Sequence, residues 1–308
     1  MDARIGIVSL KSGPVFSLKP TTARSDWAIG NSGNPCRKTV NLVKKIQMEK
    51  DFTFYPSTNS SLNCLTADQV ETYNQDGYLK SIPLFDADQV AANRAYFDGL
   101  LDFALAQGKS SYSISGSHVV YGGVYDLVTS PQILDLAEDL LGPNFAAIGA
   151  HYFCKLPHDP KVVSWHQDFT YWPVDRAKVI TIWVAIDDVD RENACIQVVP
   201  ASHRHGLLPY RESDPQENNV LNQTVDNIEQ YGTPDCLELK AGEVSIHSCL
   251  LLHGSDANHS DRRRCGIGIR YATIDVRADE TLQAKGILCR GTNPEGNWAD
   301  PPRPTFDP

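Results

Sequence analysis

From Leu65 the chain sets apolar residues at helical spacing. LTADQVETYNQDGYL places Thr66 ahead of Val70 and Tyr73 and meets Gly77 soon after, which predicts a short capped helix. DADQVAANRAYFDGLLDFALAQG (86–108) and SPQILDLAEDLLG (130–142) follow the same scheme, each opening on a capping Asp or Ser and closing on Gly. Upstream, residues 1–62 are rich in Ser, Thr, Asn, Gly and Pro without sustained periodicity, and an irregular N-terminal arm is expected there.

After Gly142 the period shortens to two. FAAIGAHYFCKL, KVITIWVAIDDV, CIQVVPAS, CLELKAGEVSIHSCLLLHGS and CGIGIRYATIDV are β-branched or aromatic runs broken by Pro, Gly, Asp and Asn. Short strands without comparable helices between them predict a mainly β protein with flanking helices, its antiparallel sheets closed as a sandwich or jelly roll. The expected layout is one domain over 63–290, helical over 63–142 and jelly roll over 143–277. An extended tail, 291–308, closes the chain with four Pro in its last eight residues.

Composition narrows the partners. A net charge of −10 and a pI near 5.3 argue against nucleic acid or an anionic membrane as ligand, and leave a small molecule as the expected partner, with monomer and homodimer both open. The N-terminus lacks a basic start followed by a long apolar run, and no apolar stretch approaches membrane-spanning length. A cytoplasmic location is the default expectation. Eight scattered cysteines with no CxxC pair read as free thiols.

Candidate chemistry centres on WHQDFTYWP (165–173). On a strand, His166 and Asp168 share one face while Gln167 takes the other. Alone, the pair reads better as a polar strand edge than as half a metal site. A third ligand must come from elsewhere, with His151, His158, His203, His205, His247, His253 and His259 as candidates. His253 is the best placed, at the end of an apolar strand before a Gly-Ser turn. Two His and one carboxylate form the facial arrangement of non-haem Fe(II) oxygenases. Arg264, eleven residues later, can clamp a dicarboxylate. Arg270 shares its strand face and is a rival, with a surface or interface ion pair as its plainer role. Tyr171 and Trp172 are core or lid residues, or else line a substrate pocket, where their rings suit a quaternary ammonium group. His203 is expected in a turn near the mouth, within reach of substrate.

Taken together, HQD, the WVAIDD strand, the VPASHRHG turn, the KAGEV turn and LLHGSDANHSDRRR resemble the phytanoyl-CoA dioxygenase family of Fe(II)/2-oxoglutarate-dependent oxygenases, over roughly residues 65–275. The resemblance implies a double-stranded β-helix of the cupin-like kind. It implies Fe(II) on His166, Asp168 and His253. It also implies 2-oxoglutarate held by Arg264, with Ser255 beside its distal carboxylate, Trp183 packed against it and Lys155 as a further contact. The implied reaction uses O2, converts 2-oxoglutarate to succinate, and removes hydrogen from an unactivated C–H bond. Halogenating relatives replace the carboxylate ligand with a small residue; Asp168 is present, so hydroxylation or another outcome of hydrogen abstraction is favoured. Where the family turn reads PGSH, this chain has Pro200-Ala201-Ser202-His203, and a backbone that does without glycine is expected. Two substrate classes stay open: a zwitterionic ammonium or phosphonate compound, and an apolar natural-product scaffold. The competing function is a cupin-like metal-binding isomerase or a non-catalytic binding protein.

Overall fold

The computed structural model describes residues 48–112 and 114–308. Of the expected N-terminal arm, residues 1–47 lie outside the described residues, and 48–62 form no helix or strand.

The first helix, α1 (Ala67–Asp76), starts with a capping box between Thr66 and Gln69, which satisfies two otherwise orphaned backbone donors. It ends on Gly77, whose φ of 83° is a conformation that L side chains resist. Then comes β1 (Tyr78–Pro83), an edge strand inside a stretch expected to be helical. Only Tyr78 and Leu79 of its six residues are buried, so its hydrophobic pattern is too short to announce a strand. A second capping box, Asp86 with Gln89, opens α2 (Ala87–Ala106). Next are α3 (Gly122–Val128), which the sequence pattern did not reveal, and α4 (Pro131–Leu141), with Pro131 in the first turn after Ser130.

Strands follow: β2 (Phe145–Lys155), β3 (Val163–His166), β4 (Val179–Ala185), β5 (Ile196–Val198), β6 (Arg211–Glu212), β7 (Gln223–Thr224), β8 (Asp235–Leu237), β9 (Glu243–Ser248), β10 (His253–Ser255) and β11 (Arg264–Thr273). A one-turn helix, α5 (Glu280–Gln283), and β12 (Ile287–Arg290) complete the order. Six strands form a major antiparallel sheet, β1-β9-β4-β11-β2-β12, and four form a minor one, β3-β10-β5-β8. This is the expected jelly-roll arrangement, with β1 and β12 extending the major sheet beyond the 143–277 core.

The long central strands of the major sheet alternate cleanly. On β11, Cys265, Ile267, Ile269 and Tyr271 join Phe97 and Leu100 of α2, Val128 of α3 and Ile133 of α4 in one core between sheet and helices. Arg264, Gly266, Gly268 and Arg270 occupy the alternate positions, and the two arginines line a cavity of about 610 Å³ that also takes in residues of β3 and β10. Seven cysteines among the described residues are free. No helix among the described residues is long and apolar enough to cross a membrane.

Candidate active site

Strand pairing brings the candidate ligands together. His253 at the start of β10 lies opposite His166 at the end of β3, in antiparallel register. Asp168 is not on the strand. It opens a short 3-10 turn, Asp168–Thr170, after Gln167 in extended conformation. The two side chains still converge because Gln167 points the other way, donating to Gly206 O and Leu250 O and accepting from Leu208 N. Likewise His253 begins its strand rather than ending one, since residues 249–251 form a turn.

One ligand atom from each of His166, Asp168 and His253 lies within 4.8 Å of the others, and all three residues are buried. Asp168 Oδ1 stands 3.5 Å from His166 Nε2 and 3.9 Å from His253 Nε2. Each imidazole is oriented from behind: His166 Nδ1 donates to Ser164 O (2.7 Å) and His253 Nδ1 to Leu251 O (2.9 Å). A proton on Nδ1 leaves the Nε2 lone pair free for a metal, the tautomer such a site requires. Thr181 Oγ1 donates to Asp168 Oδ2 at 3.0 Å, which leaves Oδ1 to face the two nitrogens. Burial holds His253 well below the usual imidazole pKa, aided by His166 and His247. For Asp168 burial works the other way, but His166, His247, Arg270 and His253 outweigh it and keep the carboxyl well below its usual range. Neutral His and ionised Asp are the forms that bind a divalent ion.

At the far end of β11, Arg264 is 1% exposed, its guanidinium 5.0 Å from the Trp183 ring, with no ion pair among the described residues. Arg264 Nε, Ser255 Oγ and Trp183 Nε1 are all buried without a hydrogen-bond partner. Gly266 is what lets Trp183 lie there, because a Cβ at 266 would collide with the indole. A buried cation beside unused polar atoms calls for an anionic ligand.

Other sequence expectations separate at this point. Tyr171 and Trp172 line the cavity; the Tyr171 ring meets His166 edge-on at 5.7 Å, and its hydroxyl accepts from Gln223 N. Lys155 does not line it. Its ammonium is used up by the carbonyls of Lys161, Ser255 and Asp256, so it ties β2 to the segment after β10. His203 does not reach the cavity either; it is wholly buried, 4.3 Å edge-on to Phe54, with Nε2 at 3.3 Å from Asn74 O. Two residues earlier, Ala201 has φ 62°, so the turn keeps the left-handed backbone that glycine would relieve but accepts it with alanine. Arg270 is no surface ion pair but a cavity residue without a salt-bridge partner among the described residues. Sequence reading passed over Thr181, although its place on the inward face of β4 follows from alternation once Trp183 is assigned inward.

Comparison with known proteins gives this geometry its context. The family model "Phytanoyl-CoA dioxygenase (PhyH)" matches residues 73–266, more than half of the chain. The chain belongs to the phytanoyl-CoA dioxygenase family. A probable phytanoyl-CoA dioxygenase of Caenorhabditis elegans is 30% identical over 183 residues, 56% of this chain and 54% of that protein, so the match spans about half of that relative's length. A probable alpha-ketoglutarate-dependent hypophosphite dioxygenase of Stutzerimonas stutzeri is 25% identical over 228 residues, 68% of this chain and 79% of its own. Among solved structures, the apo form of the non-heme monooxygenase ThoJ superposes with a TM-score of 0.66 at 25% identity, covering 77% of this chain and 88% of the other. Members of the phytanoyl-CoA dioxygenase family are Fe(II)/2-oxoglutarate-dependent oxygenases, and the chain is an enzyme of that class acting on a small molecule. A non-catalytic binding protein is set aside accordingly.

Proposed function

We propose that the chain hydroxylates an unactivated C–H bond of a small molecule, with His166, Asp168 and His253 as the iron ligands and Arg264, Ser255 and Trp183 receiving 2-oxoglutarate. The observation that carries this reading is the convergence of two Nδ1-anchored imidazoles and the free oxygen of a carboxylate held by Thr181 on a cavity that also contains an unpartnered buried arginine. Iron, 2-oxoglutarate and oxygen supply the hydrogen abstraction when bound. The chain supplies everything else. Ser164 and Leu251 carbonyls fix the rings, Thr181 restricts Asp168 to one oxygen, and Arg264 over Trp183 orients the co-substrate's distal carboxylate by a charge-assisted pair.

Tyr171 and Trp172 form the substrate wall next to the metal ligands, which accords with either a zwitterionic ammonium or phosphonate compound or an apolar scaffold. The free thiols suit a reducing compartment and support a cytoplasmic place. Succinate production by the purified chain with Fe(II), 2-oxoglutarate and oxygen tests the reading. Failure to produce succinate, together with no 2-oxoglutarate-dependent absorbance under anaerobic conditions, defeats it. Trp172→Ala should raise the substrate KM several-fold; unchanged KM and kcat would remove Trp172 from the wall.

A further inference from the structure

The interior face of β11 carries two arginines, and the proposed function uses only one. Arg270 is six residues from Arg264, roughly 20 Å along the backbone of a strand rising about 3.3 Å per residue, and its guanidinium folds back over Gly268. In the sheet, Arg270 lies opposite Thr181 on one side and Gly149 on the other. Its guanidinium is placed over Phe153 (5.5 Å) and Trp172 (5.7 Å), and Nη1 donates to Gly268 O at 2.9 Å. The Nε is sealed from solvent with no acceptor, and no carboxylate forms an ion pair with Arg270 among the described residues. Burial pulls its pKa below the ordinary arginine value, with Asp168 acting against that. Asp168 makes no ion pair with Arg270, and its Oδ2 accepts from Thr181 Oγ1.

Three further observations converge on the same spot. His151 lines the cavity with its Nε2 buried and unpartnered; burial and Arg270 push its pKa down to about 3, so it stands ready as a neutral donor. Gly149 has an ordinary φ, and a Cβ there would meet nothing within 4 Å. Neither backbone conformation nor close packing requires glycine at 149, which leaves open space at a cavity-lining position paired with Arg270. Finally, the Trp172 ring already carries the chain's own cation, which leaves that face unsuited to a substrate ammonium group.

We propose that Arg270, assisted by His151, anchors an oxyanion of the primary substrate in the space over Gly149, so that the molecule oxidised is a small carboxylate or phosphonate. This rests on the oxygenase reading for the reaction but not for the binding. Thr181 is one interstrand spacing, about 5 Å, from Arg270 and touches Asp168 directly, so the oxidised carbon lies within a few bonds of the anion. Aromatic walls at Phe153 and Trp172 hold the guanidinium plane and exclude water, which strengthens a charge-assisted pair.

The test is calorimetric binding of hexanoate, hexylphosphonate and the neutral control hexanamide to the full chain, loaded anaerobically with Fe(II) and saturating 2-oxoglutarate. The acids should bind at least about tenfold more tightly than the amide, the size of one charge-assisted pair. Arg270→Met should reduce them to the amide's level, and Arg270→Lys should retain part of the preference. Gly149→Val, which occupies the space without altering either arginine, should weaken the acids similarly while thermal melting confirms a folded chain. Equal affinity for acid and amide in the unsubstituted protein overturns the proposal. So does an Arg270→Met protein that keeps the preference, acid binding untouched by Gly149→Val, or competition of the acids with 2-oxoglutarate. Repeating the titrations without metal separates the two readings: acid selectivity with no succinate from the loaded enzyme sinks the oxygenase and spares the anchor, whereas succinate without selectivity does the reverse.

Discussion

The two sheets of this jelly roll divide the labour unequally. Strands β3 and β10 of the minor sheet are four and three residues long, yet they carry or adjoin all three candidate metal ligands. The major sheet has strands of ten and eleven residues, packs its outer face into the main core, and contributes cations and one hydroxyl to the inner face. Short strands suffice on the minor side because the ligands are fixed individually, by Gln167 and two backbone carbonyls, rather than by extended pairing. Anion recognition needs long rigid strands, since a guanidinium gains specificity from being held in one plane.

The largest effects should separate these roles. Asp168→Ala and His253→Ala should bring succinate formation to background and abolish the anaerobic absorbance that reports iron-bound 2-oxoglutarate. Arg264→Gln should instead leave iron binding intact and weaken 2-oxoglutarate by roughly 10- to 100-fold, the worth of a charged hydrogen-bonded pair. Iron lost with Arg264, or retained without Asp168, would break the division.

Acid exposes a different contrast, between histidines on the two sides. His118, at the cavity wall, and His203, among α1 and the turn after β5, are both wholly buried, and burial pushes each down to about 4 from an ordinary 6.5. Between those values the unfolded chain binds protons that the folded one refuses. Their contribution to stability is therefore complete above pH 6.5 and lost as pH falls towards 4, by up to about 3 kcal/mol for each. Denaturant melts at pH 7 and pH 5 should show this loss. Replacing either His203 or His118 with Gln should remove that residue's share of the dependence.

How much of this is readable from the chain depends on how local the cause is. Thr66 and Asp86 announce their helices because a capping box closes within four residues. The candidate metal ligands are legible because a metal site dictates residue type and spacing. Lys155 and His203 are not, because carbonyls about a hundred residues distant claim the Lys155 ammonium, and Phe54 and Asn74 enclose the His203 ring. Nor is β1, whose pairing with β9 rather than its own pattern makes it a strand. Arg270 lies between these cases: its facing follows from counting along β11, but the want of an ion-pair partner among the described residues shows only in three dimensions.

Thr181 links the two sheets and offers a finer test. Thr181→Val keeps the shape of the side chain and removes the hydrogen bond that Asp168 Oδ2 accepts from Thr181 Oγ1. With the carboxylate free to rotate, iron affinity should fall by about tenfold, as for other residues that orient a metal ligand, while 2-oxoglutarate affinity in iron-saturated enzyme stays near its original value. A matching loss in 2-oxoglutarate affinity would mean that the wall and the ligands are one unit.

The smallest effect concerns the turn behind the minor sheet. Ala201 holds φ 62° and ψ 0°, a left-handed conformation in which its Cβ crowds the backbone, at a cost of roughly 1 kcal/mol. The turn persists because Ala201 N donates to Asp76 O (2.8 Å) and Ser202 Oγ accepts from Leu252 N (2.9 Å), tying α1, the turn and the residue before His253 together. Ala201→Gly removes the crowding but adds freedom to the unfolded chain, so the net gain should be about 0.5 kcal/mol, a shift of a degree or two in Tm. The sign carries the information. A gain in stability with unchanged iron affinity means the His253 ligand is positioned by Leu252 and the β3 pairing, whatever the strain next door. A loss of iron affinity would mean instead that the strained turn sets the ligand's place, and that the minor sheet is less self-sufficient than its local hydrogen bonds indicate.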